Sequence, residues 1–88
     1  MDTNELLAER SKTHGDYIIH AGITQELLNT MMAYDRNEDY WAKLNDGQRE
    51  ALHMIAHKIG RILAGDPNFA DHWDDIAGYA KLVADRCR

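Results

Sequence analysis

Apolar residues recur along this chain at steps of three and four positions and almost nowhere at steps of two. Steps of three and four place side chains on one face of an α-helix, whereas a half-buried strand alternates with period two. One stripe runs from Tyr17 to Tyr34, and another from Phe69 to Cys87. The clearest stripe comprises Leu52, Ile55, Ala56, Ile59, Ile62 and Leu63. The pattern predicts an all-α fold with three main helices.

Polar residues and glycines mark where these helices begin and end. Asn45 followed by Gln48 has the spacing of a capping box, which predicts the start of the middle helix. Gly65 is placed to end that helix in the left-handed conformation, and Pro67 blocks its continuation. Asn68 or the acidic residues after it are expected to start the last helix.

The N-terminal segment predicts one further, short helix. Asp2 is expected to cap a helix over Thr3–Arg10, followed by a loop over Ser11–Asp16 in which Gly15 turns the chain. The connection over residues 65–68 is tight, so the last two helices are predicted to be antiparallel neighbours. The result is a small antiparallel helical bundle of three main helices plus a short N-terminal helix, forming a single domain over residues 1–88.

Length and charge restrict the classes of function. The chain has 88 residues and a net charge of −5. A chain this short buries only a little over ~60% of its unfolded surface, which favours a homo-oligomer. The acidic balance argues against nucleic-acid binding and against anionic membranes. We expect a cytoplasmic protein that does not enter a membrane. The chain has a single cysteine, its N-terminal start is polar, and no apolar run approaches ~18 residues.

Three aspartates near the start of the last predicted helix form the first candidate site. Asp71 and Asp75 are four positions apart and Asp74 lies between them, so they share a helix face. Carboxylates at this spacing can hold Mg²⁺, with Glu50 of the preceding helix as a further ligand. The alternative is that these aspartates only complement the positive end of the helix dipole.

A second candidate site lies on the middle helix. His53 and His57 have the i, i+4 spacing that can chelate a transition metal, and they can equally be boundary histidines at a seam between helices. Lys58 and Arg61 are three positions apart and suit a phosphorylated anion. The alternative for this pair is a solvated helix face with weak ion pairs.

The segment from Lys12 to Tyr17 gathers His14, Gly15 and Asp16 in front of a predicted helix. Such a segment can close over a ligand, so His14 and Asp16 are additional site candidates. Asp16 is equally well explained as the N-cap of the second helix.

Three blocks of this sequence resemble a family of small phage and prophage proteins of unknown function. They are Glu9-Arg10-Ser11-Lys12-Thr13-His14-Gly15-Asp16-Tyr17, Met54-Ile55-Ala56-His57-Lys58-Ile59-Gly60-Arg61-Ile62-Leu63 and His72-Trp73-Asp74-Asp75-Ile76-Ala77-Gly78-Tyr79-Ala80. The blocks span most of the chain in the order of the family. The resemblance implies a phage-encoded protein that acts in the host cytoplasm.

A more distant similarity is to the MazG-like all-α nucleotide pyrophosphohydrolases. Asp71, Asp74 and Asp75, followed by Ile76, resemble their last metal-binding helix. The resemblance implies an oligomeric, Mg²⁺-dependent enzyme that splits nucleoside triphosphates. The preceding helix of that family carries a Glu-Glu-x-x-Glu cluster, for which this chain offers only Glu50.

Two functional hypotheses follow. In the first, the protein is a Mg²⁺-dependent nucleotide pyrophosphohydrolase or a nucleotide-binding relative, and Lys58 and Arg61 contact the phosphates. In the second, it is a non-catalytic accessory protein that presents an acidic surface to a host protein. Asp35, Glu38 and Asp39 are the candidate contact residues for that role.

Overall fold

Four α-helices account for most of the chain. A computed structural model describes residues 2–34 and 39–88. The helices are α1 (Thr3–His14), α2 (Tyr17–Ala33), α3 (Asp46–Ala64) and α4 (Ala70–Arg86), and the described residues contain no β-strand. The prediction of a small all-α helical bundle is therefore confirmed.

Side-chain caps explain where the first three helices begin. The Asp2 carboxylate accepts a hydrogen bond from the Glu5 amide, and the Asp16 carboxylate accepts from the first-turn amides of α2. At α3, the Asn45 side chain accepts from the Gln48 amide while the Gln48 side chain accepts from the Asn45 amide. Each cap satisfies amides that a helix start leaves without an intrahelical partner. These three starts agree with the sequence predictions.

Two predicted helix boundaries and the predicted conformation of Gly65 were wrong, although α3 does end at Gly65. Helix α1 does not stop at Arg10 but continues to His14, and the hydroxyls of Ser11 and Thr13 donate back to carbonyls of its last turn. Gly65 has a φ of −112°, so it is not left-handed. Helix α4 begins after Phe69 without a side-chain cap. The N-cap residue is Phe69 and not Asn68, whose backbone amide donates to the Asp66 carboxylate in the preceding turn.

Helix α3 is the centre of the fold. Helices α2 and α4 both pack on α3 without approaching each other, and α1 contacts α2 and α3. Gly60 of α3 faces α2, whereas Lys58 pairs with Asp75 of α4. Two residues along a helix correspond to about 200° of rotation. Helices α2 and α4 therefore lie on opposite sides of α3, and the three helices form a layer.

The packing of α2 on α3 depends on the missing side chain of Gly60. A Cβ atom at Gly60 would lie 2.6 Å from the Thr24 hydroxyl oxygen and 2.7 Å from the His20 carbonyl oxygen. Thr24 is itself buried and donates its hydroxyl to that carbonyl at 2.8 Å. Since one of the two obstacles is backbone, a larger residue at position 60 must push the helices apart.

The interior of this layer is small. Among the described residues, the buried apolar side chains are Leu28, Ala51, Ala56 and Ile62. The radius of gyration is 15.0 Å, compared with about 12 Å for a compact domain of this length. The molecule is thus elongated, with extents of 48 × 28 × 22 Å. None of the helices in the described part has the length and apolarity that a membrane crossing needs.

We expect Gly60→Ala to destabilise the protein by about 1–3 kcal/mol, because overpacking a close helix contact forces a backbone shift. Gly22→Ala in α2 is the matched control, since a Cβ at Gly22 would meet no atom within 4 Å. Replacing that glycine should stabilise by up to about 1 kcal/mol through helix propensity. Urea unfolding followed by circular dichroism measures both changes, and an equal effect of the two variants would contradict the proposed contact.

Candidate functional site

Two turns of the backbone are tied together at one end of the layer. The Thr13 carbonyl oxygen accepts a hydrogen bond from the Asp66 amide at 2.9 Å and a second from Nε2 of His72 at 2.8 Å. Gly15 adopts a φ of 77°, which L-residues rarely tolerate. A Cβ at Gly15 or at Gly65 would collide with the backbone of the opposite turn. The turn between α1 and α2 therefore rests directly on the end of α3.

His72 of α4 is the side chain that binds to this junction. It is 2% exposed, the lowest value among the large side chains described. Since a carbonyl oxygen only accepts, Nε2 of His72 carries the proton in this bond. The ring contacts His14 and Phe69 edge-on, with centroids 5.0 and 4.9 Å away. The role of His72 at this junction could not be predicted from the sequence, because its hydrogen-bond partner lies 59 positions earlier in the chain.

Lys58 occupies the space beside the predicted metal ligand Asp75. The residue is 8% exposed, and its Nζ lies 3.0 Å from Oδ2 of Asp75, whose side chain is half-exposed. A buried ammonium group requires such a partner, because removal from water is otherwise costly. Asp75 therefore neutralises Lys58.

Arg61 lies one turn further along α3 and lacks a comparable partner. It is partly buried, and its Nε has no hydrogen-bond partner. None of the ion pairs within the described part of the chain includes Arg61. Burial, followed by the charge of Arg10, lowers the pKa of the Arg61 guanidinium, while Asp75 acts in the opposite direction. The positive charge of Arg61 is thus only partly compensated.

The positive charge of Arg61 affects the pKa values of three histidines. Burial is the main cause that lowers the pKa of His14, His20 and His57, and the charge of Arg61 comes second for each. The rings of His20 and His57 have centroids 5.7 Å apart, so α2 and α3 each contribute one. Lys58 further lowers the pKa of His14 and of His57.

These groups form what we call the cationic cluster, contributed by the first three helices: Arg10, His14, His20, His57, Lys58 and Arg61. Asp75 and Asp16 are the acidic side chains that act on its members. The protein as a whole carries a net charge of −5, so the cluster opposes the overall balance. Such an arrangement is suited to an anion, with arginine able to bind two oxygens at once.

A shallow depression adjoins the Lys58–Asp75 pair. It has a volume of about 450 Å³ and is lined by Asp74, Asp75, Gly78, Tyr79 and Leu82. This volume lies within the range of small-molecule sites, about 300–1,000 Å³. The depression offers both an aromatic ring and an aliphatic side chain next to the charged pair.

The structure does not bring the four predicted metal ligands together. Glu50 lines a groove with Tyr79 and Arg86 at the far end of α4. At 1.5 Å per residue, Asp71 lies about 22 Å along the helix axis from Arg86. Within residues 2–34 and 39–88, no three His, Cys, Asp or Glu side chains are grouped so that they could hold a metal ion. Glu50 therefore does not complete a site with Asp71, Asp74 and Asp75.

The other predicted site residues have separate surroundings. The His53 ring lies 5.9 Å from the Trp41 ring, whereas His57 lies next to His20. This placement corresponds to the alternative of two histidines at helix seams. Asp16 caps α2, as its alternative interpretation held, while His14 belongs to the cationic cluster.

The candidate patch for a host partner falls largely outside the described part of the chain. Asp35 and Glu38 lie outside the described residues. Asp39 is exposed, and its carboxylate accepts a hydrogen bond from the Ala42 amide at 2.9 Å. This local bond gives Asp39 a structural role in the turn before α3.

No protein-family model, curated protein or solved structure matches this chain. The resemblances to the phage family and to the MazG-like enzymes therefore depend on the residues quoted for them.

The lowered histidine pKa values predict that acid destabilises the fold. The ordinary histidine pKa is 6.5, and His14, His20 and His57 titrate below it in the folded state. Between the folded and unfolded pKa values the unfolded chain binds more protons, so stability rises with pH there and is lost as pH falls below about 7. The slope is up to about 1.4 kcal/mol per pH unit for each histidine.

Urea unfolding at several pH values between about 5 and 8 measures this slope. We expect His57→Gln to reduce it, because one of the three titrating groups is then removed. A free energy of unfolding that does not change over this range would contradict the assignment.

Proposed function

We propose that this protein is a nucleotide-binding domain in which the cationic cluster holds the phosphate groups. The observation that carries the proposal is the charge of Arg61, which is partly buried, only partly compensated by Asp75 and in none of the ion pairs of the described residues. Bound phosphate would supply the missing acceptors and reduce the repulsion between Arg61 and Arg10. It would also favour the charged forms of His14 and His57.

Lys58 is the second phosphate contact in this proposal. Its ammonium group has three N–H donors, and the structure gives one partner, Asp75. The remaining donors are available to an anion at the edge of the depression. Lys58 and Arg61 are three positions apart on α3, so a helical backbone presents them to the same ligand.

The neighbouring depression supports a nucleoside as the rest of the ligand. Tyr79 offers an aromatic ring, and stacking of a base on such a ring contributes about 1–3 kcal/mol. Leu82 adds an apolar wall, while the carboxylates of Asp74 and Asp75 can accept hydrogen bonds from sugar hydroxyls or from an exocyclic amine. Phosphates at Arg61 and a base at Tyr79 would thus lie on either side of the Lys58–Asp75 pair.

The resemblance to MazG-like pyrophosphohydrolases supports the same ligand class but adds a metal. In that version Asp71 and Asp75, assisted by Asp74, would hold Mg²⁺, which would supply an activated water for hydrolysis of a phosphoanhydride. The two versions assign opposite roles to Asp75. It is an essential ligand for a Mg²⁺-dependent enzyme, and it competes with the anion for Lys58 in a metal-independent binding site.

Asp75→Asn separates the two versions. Calorimetric titration with a nucleoside triphosphate, with and without Mg²⁺, should show that the variant binds at least as tightly as the wild type, because Lys58 is released to the anion. A Mg²⁺-dependent site would lose binding and any pyrophosphate release. Loss of nucleotide binding by this variant, with its helix content unchanged by circular dichroism, would contradict our version.

Arg61→Gln tests the principal contact. We expect at least a tenfold weaker affinity for the nucleotide and for pyrophosphate, because a charge-assisted bond of about 1.5–3 kcal/mol is lost. Arg88→Gln is the matched control, since Arg88 is exposed beyond the end of α4 and its charged neighbour is Asp85. Equal affinities of the wild type and the Arg61→Gln variant, or a failure of the wild type to bind any nucleotide, would refute the proposal.

A further inference from the structure

The side of the layer opposite the cationic cluster is apolar. Leu52, Ile59 and Leu63 of α3 are spaced by seven and four positions, so they share one helix face. Arg61 is two residues from Ile59 and therefore lies about 200° around the helix. We call the following six side chains of α3 and α4 the apolar face: Leu52, Ile55, Ile59, Leu63, Ala80 and Ala84.

No helix described in the chain covers this face. Since α2 and α4 do not approach each other, the space between them over α3 stays open. Leu63 is 66% exposed, and Trp73 at the start of α4 is 54% exposed. A groove of about 390 Å³ runs between α3 and α4, with Leu52 and Ile55 on one wall and Ala80 and Ala84 on the other.

The whole chain exposes more surface than a compact monomer of its mass. The accessible surface is 6407 Å², whereas a compact monomer of 10.1 kDa is expected to expose about 5,300 Å². The excess of about 1,100 Å² exceeds the roughly 800 Å² that each partner buries in a standard stable interface. We propose that a second copy of this chain covers the apolar face, giving a two-fold symmetric dimer.

The lack of charge on this face suits contact between two acidic chains. Charged residues make up 28% of the sequence, yet none of the residues that line the groove between α3 and α4 is charged. Each chain has a net charge of −5, so two copies repel unless they meet through a neutral surface. In a two-fold dimer the same patch meets itself, and an uncharged apolar patch satisfies that requirement without opposite charges.

Ala80→Arg tests the dimer. Ala80 is exposed in the single chain, so a long charged side chain fits the isolated fold but blocks the centre of the face. We expect sedimentation analysis to give the wild type twice the chain mass of 10.1 kDa, and Ala80→Arg the mass of one chain. Circular dichroism checks that the variant keeps its helices.

Two further variants locate the interface. Ala8→Arg makes the same change at an exposed position of α1 and should leave the dimer intact. Leu82→Arg places the charge on the opposite side of α4, in the groove with Glu50, and should also leave it intact. A wild type that is monomeric at hundreds of micromolar, or a dimer broken by Leu82→Arg but not by Ala80→Arg, would overturn the proposal. The mass measurement needs no nucleotide, so its failure is separate from failure of the proposed function.

Discussion

The geometry of this protein depends on one backbone oxygen. The Thr13 carbonyl accepts from the Asp66 amide and from the His72 ring, and so joins α1 to the connection between α3 and α4 and to α4 itself. This junction fixes where the end of α1 lies relative to α3. Arg10 and His14 belong to α1, whereas Arg61 belongs to α3. The packing of α1 on α2 and α3 and the close approach of Gly15 to Gly65 add to this restraint.

That proximity has an electrostatic cost. Burying a cation is unfavourable unless an acidic group is near. Asp75 forms an ion pair with Lys58, whereas it affects Arg61 without forming an ion pair with it. Burial is the main cause that lowers the pKa values of Arg61, His14, His20 and His57, and neighbouring positive charge lowers each of them further. The proposed anion site rests on this positive charge at Arg61, which is partly buried and only partly compensated.

Local structure and the antiparallel pairing of the last two helices were predictable from the sequence, whereas contacts between segments far apart in the chain were not. The helical periods and the caps at Asp16 and Asn45 follow from neighbours within four positions, and the structure confirms them. Gly65 was wrongly assigned a left-handed conformation, because a glycine after a helix usually serves that purpose. Its actual role is steric, since the turn at Gly15 lies against it. That requirement comes from a segment 50 positions away in the chain.

The separation of Glu50 from the three aspartates has a different explanation. Glu50 and Asp71 each lie near the N-terminal end of their helix, and α3 and α4 were predicted to be antiparallel. In an antiparallel pair these ends are opposite, so the sequence already contained the reason why Glu50 could not join the aspartates. The pairing of Lys58 with Asp75 follows from the same geometry, because the end of α3 meets the start of α4.

Both proposals concern helix α3, because one of its sides is charged and the other is apolar. One side carries Lys58 and Arg61, whose charges cannot be buried against apolar residues. The other side carries Leu52, Ile59 and Leu63, which a chain this short cannot cover with its own helices. Helices α2 and α4 leave the apolar side open, because they do not approach each other. In the proposed dimer a second copy adds a core on that side, while each α3 keeps its charged side free for a ligand.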